Sequence, residues 1–322
     1  HRFGLHRLRL LDLGVRHSGL VILPLARYLR RERPAALLVA KDRAIRAAAV
    51  ARRLAGWDGR LVGRLGTNLT AALAGRARAP RWLRTAPMHW AYRRVDHIVA
   101  VSQGVAEDTR RITGLPAARV TVVRNPVVTP RLAELAAAPC PHPWLVSSAV
   151  PVILGAGRLT EQKDFATLLR AFARMQPIRP GRLVILGEGR LRGELERLAD
   201  ELGVGDHVAL PGFTANPYAW MARAALFVLS SAWEGSPNVL TEALALGVPS
   251  VATDCPSGPR ELLAGGRYGA LVAVGDHVGL AEAMLATLEA PLPAGRLREA
   301  VADYTAEAAA LGYLGALGLA AS

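Results

Sequence analysis

Hydrophobic and polar positions along the chain alternate between short apolar runs and longer stretches with helical spacing. Apolar runs at residues 8–13 and 36–40 flank a helical pattern from Ser18 to Glu32, which ends before Pro34. The same patterns predict strands at 60–65, 97–102 and 119–127, helices at 44–55, through Tyr92 and, with Ser102 as its N-cap, through Arg111, and an irregular Arg-rich segment at 75–87. The first half is therefore predicted to alternate strands with helices.

A proline-rich stretch at residues 130–150 interrupts this alternation, and we interpret it as a linker between two domains. The apolar runs beyond it show little polar alternation, which is typical of strands covered on both faces in parallel sheets. In this half the patterns predict strands at 151–157, 182–189, 207–213, 225–231, 249–253 and 270–276, with helices at 164–175, 191–202, 217–224 and 237–246.

These elements predict an α/β fold with two Rossmann-like, doubly wound parallel-sheet domains that face a cleft. The predicted division is residues 1–132 for the first domain, 133–150 for the linker and 151–322 for the second domain. We leave open that the last helix of the second domain returns to the first.

The composition excludes several classes of protein. With 322 residues, 51% of them hydrophobic, the chain can bury two cores, and its two cysteines exclude a disulfide framework and a four-cysteine zinc site. No metal site is predicted. The longest apolar stretch, at 20–29, contains Pro24 and Arg27 and is too short to cross a bilayer. Because the chain begins with His1 and has no signal pattern, we expect a fragment of a longer cytoplasmic protein.

Charge is distributed unevenly between the two halves. Residues 1–132 contain 26 Arg or Lys and 7 Asp or Glu, whereas residues 133–322 contain 14 and 19. A basic half attracts phosphate-bearing partners, so nucleic acid, anionic lipid and phosphorylated substrates are all candidates. Of the 40 basic residues 38 are Arg, and an Arg-biased composition is the alternative explanation of this excess.

Chemistry-bearing residues follow four predicted strands of the second half. They are Gly157 with Arg158, the turn at 187–189, Phe213, and the segment 233–238. Ligands of doubly wound sheets bind beyond the carboxyl ends of the strands. We therefore expect these four strand ends to converge on one cleft.

The segment WEGSPNVLTEAL at 233–244 predicts the start of a helix, with Ser236 as N-cap and Pro237 as the first helical residue. The free amides that follow would accept an anion. Glu234 and Glu242 cannot share one helix face, which disfavours a paired acid and base and favours separate bonds to the hydroxyls of one elongated ligand. The alternative interpretation is an ordinary capped helix with a solvated glutamate.

The turn GAGRLTEQKDF at 155–165 carries two cations, Arg158 and Lys163, a pair that suits a diphosphate. Lys163 is one of only two lysines in the chain, although chance placement also explains it. The turn lacks the spacing of a Walker loop, and Arg192 stands where a dinucleotide fingerprint has its third glycine. Neither ATP hydrolysis nor nicotinamide binding is indicated.

Taken together, these segments resemble the retaining GT-B glycosyltransferases of family 4. The resemblance covers residues 150–290, where GRLTEQKDFATLLRAF, LVILGEG, LPGF and EGSPNVLTEALALGVPSVATDCPSGPREL follow in order, and more weakly residues 95–127. The family's signature of two glutamates separated by seven residues corresponds here to Glu234 and Glu242.

The resemblance implies transfer of a sugar, with retention of configuration, from a UDP-, GDP- or ADP-sugar to a glycan or lipid-linked acceptor, as in polysaccharide synthesis, without a further cofactor or a metal. It assigns Arg158 and Lys163 to the donor diphosphate, Glu234 to the transferred sugar and Glu242 to the ribose. The other implied donor-binding residues are Gly157, Glu188, Phe213, Gly235, Ser236, Pro237, Asn238, Val239 and Leu240.

The sequence departs from the family on the acceptor side. No initial strand with a glycine-rich loop is found, so the first domain is expected to be incomplete. Where family members often carry a histidine, the segment 63–70 has Thr67 and Asn68, which are the acceptor-side candidates. Because such enzymes often act at the inner face of a membrane, the resemblance implies peripheral contact of the basic half with anionic headgroups.

Two other classes of function stay open at this stage. A nucleotide-sugar epimerase can share the two-domain layout, but the spacing of the glutamates and the two cations favour transfer to an acceptor. A basic nucleic-acid-binding protein is the second alternative. The chain has no recognition helix, zinc motif or aromatic RNA-binding signature, so no nucleic acid partner is expected.

Overall fold

The computed structural model describes Leu13 and residues 20–70, 81–140, 142–147 and 149–319. The strand predicted at 8–13, apart from Leu13, and the beginning of the helix predicted at Ser18 lie outside these residues.

A sheet of four parallel strands, in the order β1-β2-β3-β4, forms the centre of the first domain as described. One face packs on helices through Leu29, Ile45 and Tyr92, which are fully buried. The strands are β1 (Ala36–Ala40), β2 (Arg60–Leu65), β3 (His97–Ala100) and β4 (Val120–Val122), and the helices are α1 (Ile22–Glu32), α2 (Asp42–Ala55), α3 (Arg81–Tyr92) and α4 (Gln103–Thr113).

The stretch predicted as a linker contains two helices, α5 (Pro130–Ala137) and α6 (Pro143–Ser147). Cys140 and Leu145 are buried in the core of the second domain. This part of the chain therefore packs with the second domain as ordered structure.

The second domain contains a parallel sheet of six strands in the order β10-β9-β8-β5-β6-β7. Both faces are covered, one around Leu154 and Phe227 and the other around Ile153 and Val228, as the unbroken apolar runs predict. The strands are β5 (Val152–Ala156), β6 (Arg182–Leu186), β7 (Val208–Gly212), β8 (Leu226–Leu229), β9 (Ser250–Thr253) and β10 (Ala270–Val272).

Helices connect these strands and continue beyond the sheet. The connecting helices are α7 (Phe165–Met175), α8 (Arg192–Glu201), α9 (Tyr218–Met221), α10 (Asn238–Ala245) and α11 (Pro259–Leu262), and the chain continues with α12 (His277–Glu289), α13 (Ala294–Glu299) and α14 (Ala306–Leu317). Helix α14 lies on the first domain, where Ala309 and Ala316 cluster with Val62 and Val99 of its sheet and with Val123 directly after β4. The end of the chain as described therefore ties the two domains together.

The irregular segment predicted at 75–87 is wrong for residues 81–87, which belong to α3. Pro87 lies inside this helix and disfavours it locally. Met88, Ala91 and Tyr92 at its carboxyl end are nonetheless buried in the core of the first domain. Packing thus overrides the local signal, as it often does for helices.

No bounds were predicted for the helices after residue 276, although a last helix that returns to the first domain was left open and corresponds to α14. In α12 and α14 apolar residues occupy most positions around the helix, so neither sequence has a clear polar face. Periodicity finds a helix by the contrast between its faces. Without that contrast the pattern carries no helical signal.

Candidate active site

The four strand ends singled out in the sequence lie side by side. Strands β8, β5, β6 and β7 are neighbours in the sheet, and the chain turns from one half of the sheet to the other between β5 and β8. The carboxyl ends at such a switch point form a crevice. The predicted convergence of the four strand ends at one edge of the sheet is confirmed.

Two glycine turns at the bottom of the cleft are in close contact. Gly187 has a φ of +131°, and a Cβ atom built on it would lie 1.9 Å from the carbonyl oxygen of Gly157. A side chain at residue 187 is therefore excluded. Gly157 in turn packs under the aliphatic part of Lys163, since a Cβ on Gly157 would meet Lys163 Cε at 2.8 Å.

The centre of the site is an ion pair between two of the predicted residues. Lys163 Nζ donates to Glu234 Oε1 at 2.6 Å, and the two side chains are 15% and 8% exposed. Ser231 Oγ donates to the same carboxylate oxygen at 2.8 Å. The pair joins the loop after β5 to the loop after β8, and burial strengthens its electrostatic attraction.

Further hydrogen bonds hold these two loops together. Gln162 Nε2 donates to the carbonyl of Trp233 at 3.0 Å, and Ser230 Oγ donates to the carbonyl of Lys163 at 2.8 Å. The sequence interpretation missed Gln162, Ser230 and Ser231 as supporting residues. The signal that could have found them is their position beside the two assigned residues, at the end of a buried strand.

Helix α10 begins one residue later than predicted. Pro237 is the N-cap, no side chain caps the helix, and the amide of Leu240 donates to the carbonyl of Pro237 at 3.0 Å. The prediction of Ser236 as N-cap is therefore wrong, and Leu240 offers no free amide. The backbone takes a tighter 3₁₀-type bond at this end. The amides of Asn238 and Val239 have no acceptor among the described residues and remain available to an anion.

Glu242 lies half-buried within α10, one helical turn beyond these amides. Tyr218 Oη donates to Glu242 Oε1 at 3.3 Å. Burial raises the pKa of Glu242, partly offset by the bond from Tyr218 and by the charge of Lys163. The charge of Lys163 acts on the pKa of Glu242, so the ion pair and Glu242 interact electrostatically. The sequence had no signal for Tyr218.

Three further predicted donor-side residues follow β5, β6 and β7 and are exposed. Arg158 is exposed and its guanidinium has no partner among the residues the structure describes. Glu188 is also exposed and accepts from Arg192 Nη2 at 2.6 Å, a bond that lowers the pKa of its carboxyl. Phe213 is 80% exposed directly after β7. An aromatic face so open to solvent is available to stack on a flat ligand.

The first domain closes over the loop after β8. A Cβ atom on Gly235 would lie 2.2 Å from the carbonyl oxygen of Gly66, so the two backbones touch. Ser102 Oγ donates to the carbonyl of Gly235 at 2.6 Å and also caps helix α4. Gly235 is thus in contact with the opposite domain at a position where only a glycine fits.

The two acceptor-side candidates differ in their surroundings. Asn68 is 7% exposed, and its Nδ2 donates to Ser257 Oγ of the second domain at 3.0 Å. Thr67 is exposed. The carboxylate of Glu261 adds another contact between the domains, because it accepts from the amide of Gln103 at 2.8 Å and pairs with Arg124.

The described part of the chain has neither a cluster of candidate metal ligands nor a candidate membrane-spanning helix. It contains no group of three His, Cys, Asp or Glu side chains arranged to hold a metal ion. None of its helices has the length and apolarity needed to cross a membrane.

Two family models together match most of the chain. The model of "Glycosyl transferases group 1" matches residues 150–290, and that of "Glycosyltransferase Family 4" matches residues 3–131. The chain belongs to the group 1 glycosyltransferases. Membership of this family favours sugar transfer over the epimerase and nucleic-acid-binding alternatives.

Curated relatives resemble this group 1 chain over part of their length. The N-acetylgalactosamine-N,N'-diacetylbacillosaminyl-diphospho-undecaprenol 4-alpha-N-acetylgalactosaminyltransferase of Campylobacter jejuni is 42% identical over 137 residues, which are 42% of this chain and 37% of that protein. The lipopolysaccharide core biosynthesis glycosyltransferase LpsE of Rhizobium meliloti is 34% identical over 194 residues, 60% of this chain and 54% of that protein. The chain thus matches about half or less of the length of these relatives.

A solved structure agrees with the group 1 chain over both domains. The HepE protein of Anabaena, crystallised in complex with UDP-glucose, superposes with a TM-score of 0.73 at 20% sequence identity. The superposition covers 92% of this chain and 80% of the HepE chain. With the two parallel-sheet domains described above, this likeness confirms the predicted GT-B fold.

Proposed function

We propose that this protein transfers a sugar from a nucleoside-diphosphate donor to a glycan or lipid-linked acceptor, with retention of configuration. The observation that carries the proposal is the 2.6 Å contact between Lys163 Nζ and Glu234 Oε1, close in sequence to the start of α10. It brings together a cation for a phosphate, a carboxylate for sugar hydroxyls and two free helix amides.

The proposed reaction places negative charge where the chain has donors. The acceptor hydroxyl oxygen forms a bond to the anomeric carbon, the bond from that carbon to the diphosphate oxygen breaks, and the hydroxyl proton leaves with the nucleoside diphosphate. Lys163, Arg158 and the amides of Asn238 and Val239 stabilise the charge on the leaving oxygen. We propose that these groups serve in place of a metal ion.

The ion pair is compatible with a bound donor. An ammonium group has three N–H donors, so Lys163 can keep its bond to Glu234 while it donates to a phosphate oxygen. Glu234 has a second carboxylate oxygen for a sugar hydroxyl, and Ser231 helps to hold the carboxylate in place. Glu242 binds the ribose in this proposal, oriented by Tyr218, and Phe213 borders the base.

The names of similar proteins support the type of substrate. The Campylobacter relative is named as a transferase of N-acetylgalactosamine to a diphospho-undecaprenol-linked acceptor, the Rhizobium relative as an enzyme of lipopolysaccharide core biosynthesis, and HepE was crystallised with UDP-glucose. We therefore propose glycoconjugate or polysaccharide synthesis as the setting, with UDP, GDP or ADP as the nucleotide of the donor.

A thermal-shift screen against UDP, GDP and ADP tests the proposed donor site. One nucleotide is expected to raise the melting temperature, because a ligand of the native state stabilises it. Arg158→Ala should weaken that nucleotide about tenfold, the effect of losing a hydrogen bond to a charged group. Arg170→Ala, an exposed arginine of α7, is the matched control and should bind like the unmodified protein.

Absence of any shift with all three nucleotides would refute the donor site. Equal weakening by both arginine substitutions would indicate nonspecific charge attraction. Production of a sugar isomer from the nucleotide sugar without an acceptor would favour the epimerase alternative.

We also propose that the first domain contacts an anionic membrane surface. Leu20, just before α1, and Leu23, in its first turn, are 65% and 61% exposed, and arginines follow in the last turn of that helix. Trp90 of α3 is 37% exposed and stacks with Arg94. Exposed apolar side chains among cations are typical of a surface that lies at the lipid interface.

Sedimentation with phosphatidylglycerol vesicles tests this contact. The protein is expected to sediment with anionic but not with neutral vesicles at 150 mM salt, since each basic residue near the surface contributes about 1 kcal/mol. Leu23→Glu should weaken the binding, whereas Ile178→Glu, at an equally exposed site of the second domain (69%), should not. Binding that does not depend on the vesicle charge would contradict the proposal.

A further inference from the structure

A chain of hydrogen bonds leads from the last helix, through the first domain, to the start of α10. Arg64 Nε donates to Tyr313 Oη at 3.0 Å, and Arg64 Nη2 donates to Asn125 Oδ1 at 2.7 Å. Asn125 Nδ2 then donates to Asn238 Oδ1 across the cleft at 2.7 Å. The four residues come from α14, β2, the loop after β4 and the first position of α10.

The chemistry of the arginine determines the direction of every bond in this chain. A guanidinium only donates, so the oxygen of the Asn125 carboxamide must face Arg64 and its nitrogen must face Asn238. Asn238 must therefore present its oxygen to Asn125. The amide orientation of both asparagines follows from one arginine, although a carboxamide alone can be placed either way.

This orientation leaves the Asn238 side chain as a hydrogen-bond donor. Its Oδ1 is occupied by Asn125, and its Nδ2 has no acceptor among the described residues. The side chain stands at the helix start, beside the free amides of Asn238 and Val239. An unbonded N–H₂ group there adds to the donors available to an anion.

We propose that Asn125 is a positioning residue of the donor site, which turns the N–H₂ group of Asn238 toward the diphosphate and aligns the start of α10 with the first domain. The inference rests on the proposed function, because it concerns the same donor diphosphate. In addition, Asn125 of the first domain determines how many hydrogen-bond donors contact the diphosphate. Arg64 and Tyr313 act behind Asn125 and orient it.

Asn125→Asp separates this role from a structural one. The aspartate keeps its contact with Arg64 as an ion pair, so the melting temperature should not fall. A carboxylate cannot donate, however, so Asn238 must reverse and bond to Asp with its N–H₂ group. Titration with the nucleotide identified in the screen should show binding at least about tenfold weaker, the effect of one lost donor to a charged group.

The asparagine pair can be tested by a double-mutant cycle. Asn238→Ala should weaken nucleotide binding by a similar factor, and adding Asn125→Asp should cause no further loss, because both changes remove the same donor. Gln176→Ala is the matched control. Its carboxamide also makes two hydrogen bonds, to the backbone of Gly181 at 3.1 and 2.8 Å, far along the chain from the cleft. It should lower the melting temperature and leave nucleotide binding unchanged.

The contact between Asn125 and the start of α10 can also be measured without a nucleotide. Hydrogen exchange in the peptide 235–245 should be faster in Asn125→Ala than in the unmodified protein or in Gln176→Ala, because the helix start loses its contact with the first domain. Unchanged exchange there, or nucleotide binding that is unaffected by Asn125→Asp, would overturn the inference. Absence of nucleotide binding to the unmodified protein would instead count against the proposed function.

Discussion

Lys163→Met is expected to reduce sugar transfer at least about a hundredfold, the usual effect of removing one preorganised donor from a developing negative charge. It should also destabilise the protein by about 3 kcal/mol, because Glu234 is left as a buried carboxylate without its cation. Both effects follow from the contact of 2.6 Å between side chains that are 15% and 8% exposed. Initial rates and chemical denaturation measure them separately.

A second substitution distinguishes these two effects. Lys163→Met combined with Glu234→Gln removes both charges, so most of the lost stability should return while transfer stays low. Lys41→Met is the control, since Lys41 is the other lysine of the chain and is exposed. Recovery of transfer in the double variant would show that Lys163 serves only to neutralise Glu234.

Gly235→Ala is expected to reduce transfer about a hundredfold with little effect on the melting temperature. The added Cβ would lie 2.2 Å from the carbonyl oxygen of Gly66, and backbone on both sides prevents a small local adjustment. The domains must move apart, which removes the bond from Ser102 to the carbonyl of Gly235. A misplacement of about 1 Å is enough to cost this factor in rate.

Small-angle scattering and initial rates check this result together. The radius of gyration should increase in Gly235→Ala as the cleft opens. Gly295→Ala, at a helical glycine with open space around it, should change neither quantity. A fully active Gly235→Ala variant would mean that the closed arrangement is not the one that carries out transfer.

Much of the fold could be predicted because its signals are local. The hydrophobic pattern identified β1 and β2 with their observed bounds, and unbroken apolar runs located the strands of the second sheet to within a few residues. Ser102 was recognised as a helix cap from its position alone, and the structure confirms it. Helix α3, with its internal proline, and the apolar helices α12 and α14 carry no such signal.

The candidate site could likewise be predicted only where its signals are local. By itself, the sequence determined which strand ends carry cations, glycines and carboxylates, because those residues follow apolar runs directly and parallel strands end at one edge of a sheet. Only the tertiary structure decided that Lys163 bonds to Glu234, 71 residues away, and that Asn125 reaches Asn238 across 113 residues. Such pairings depend on distances between separate loops and domains, which no local pattern of hydrophobic and polar residues encodes.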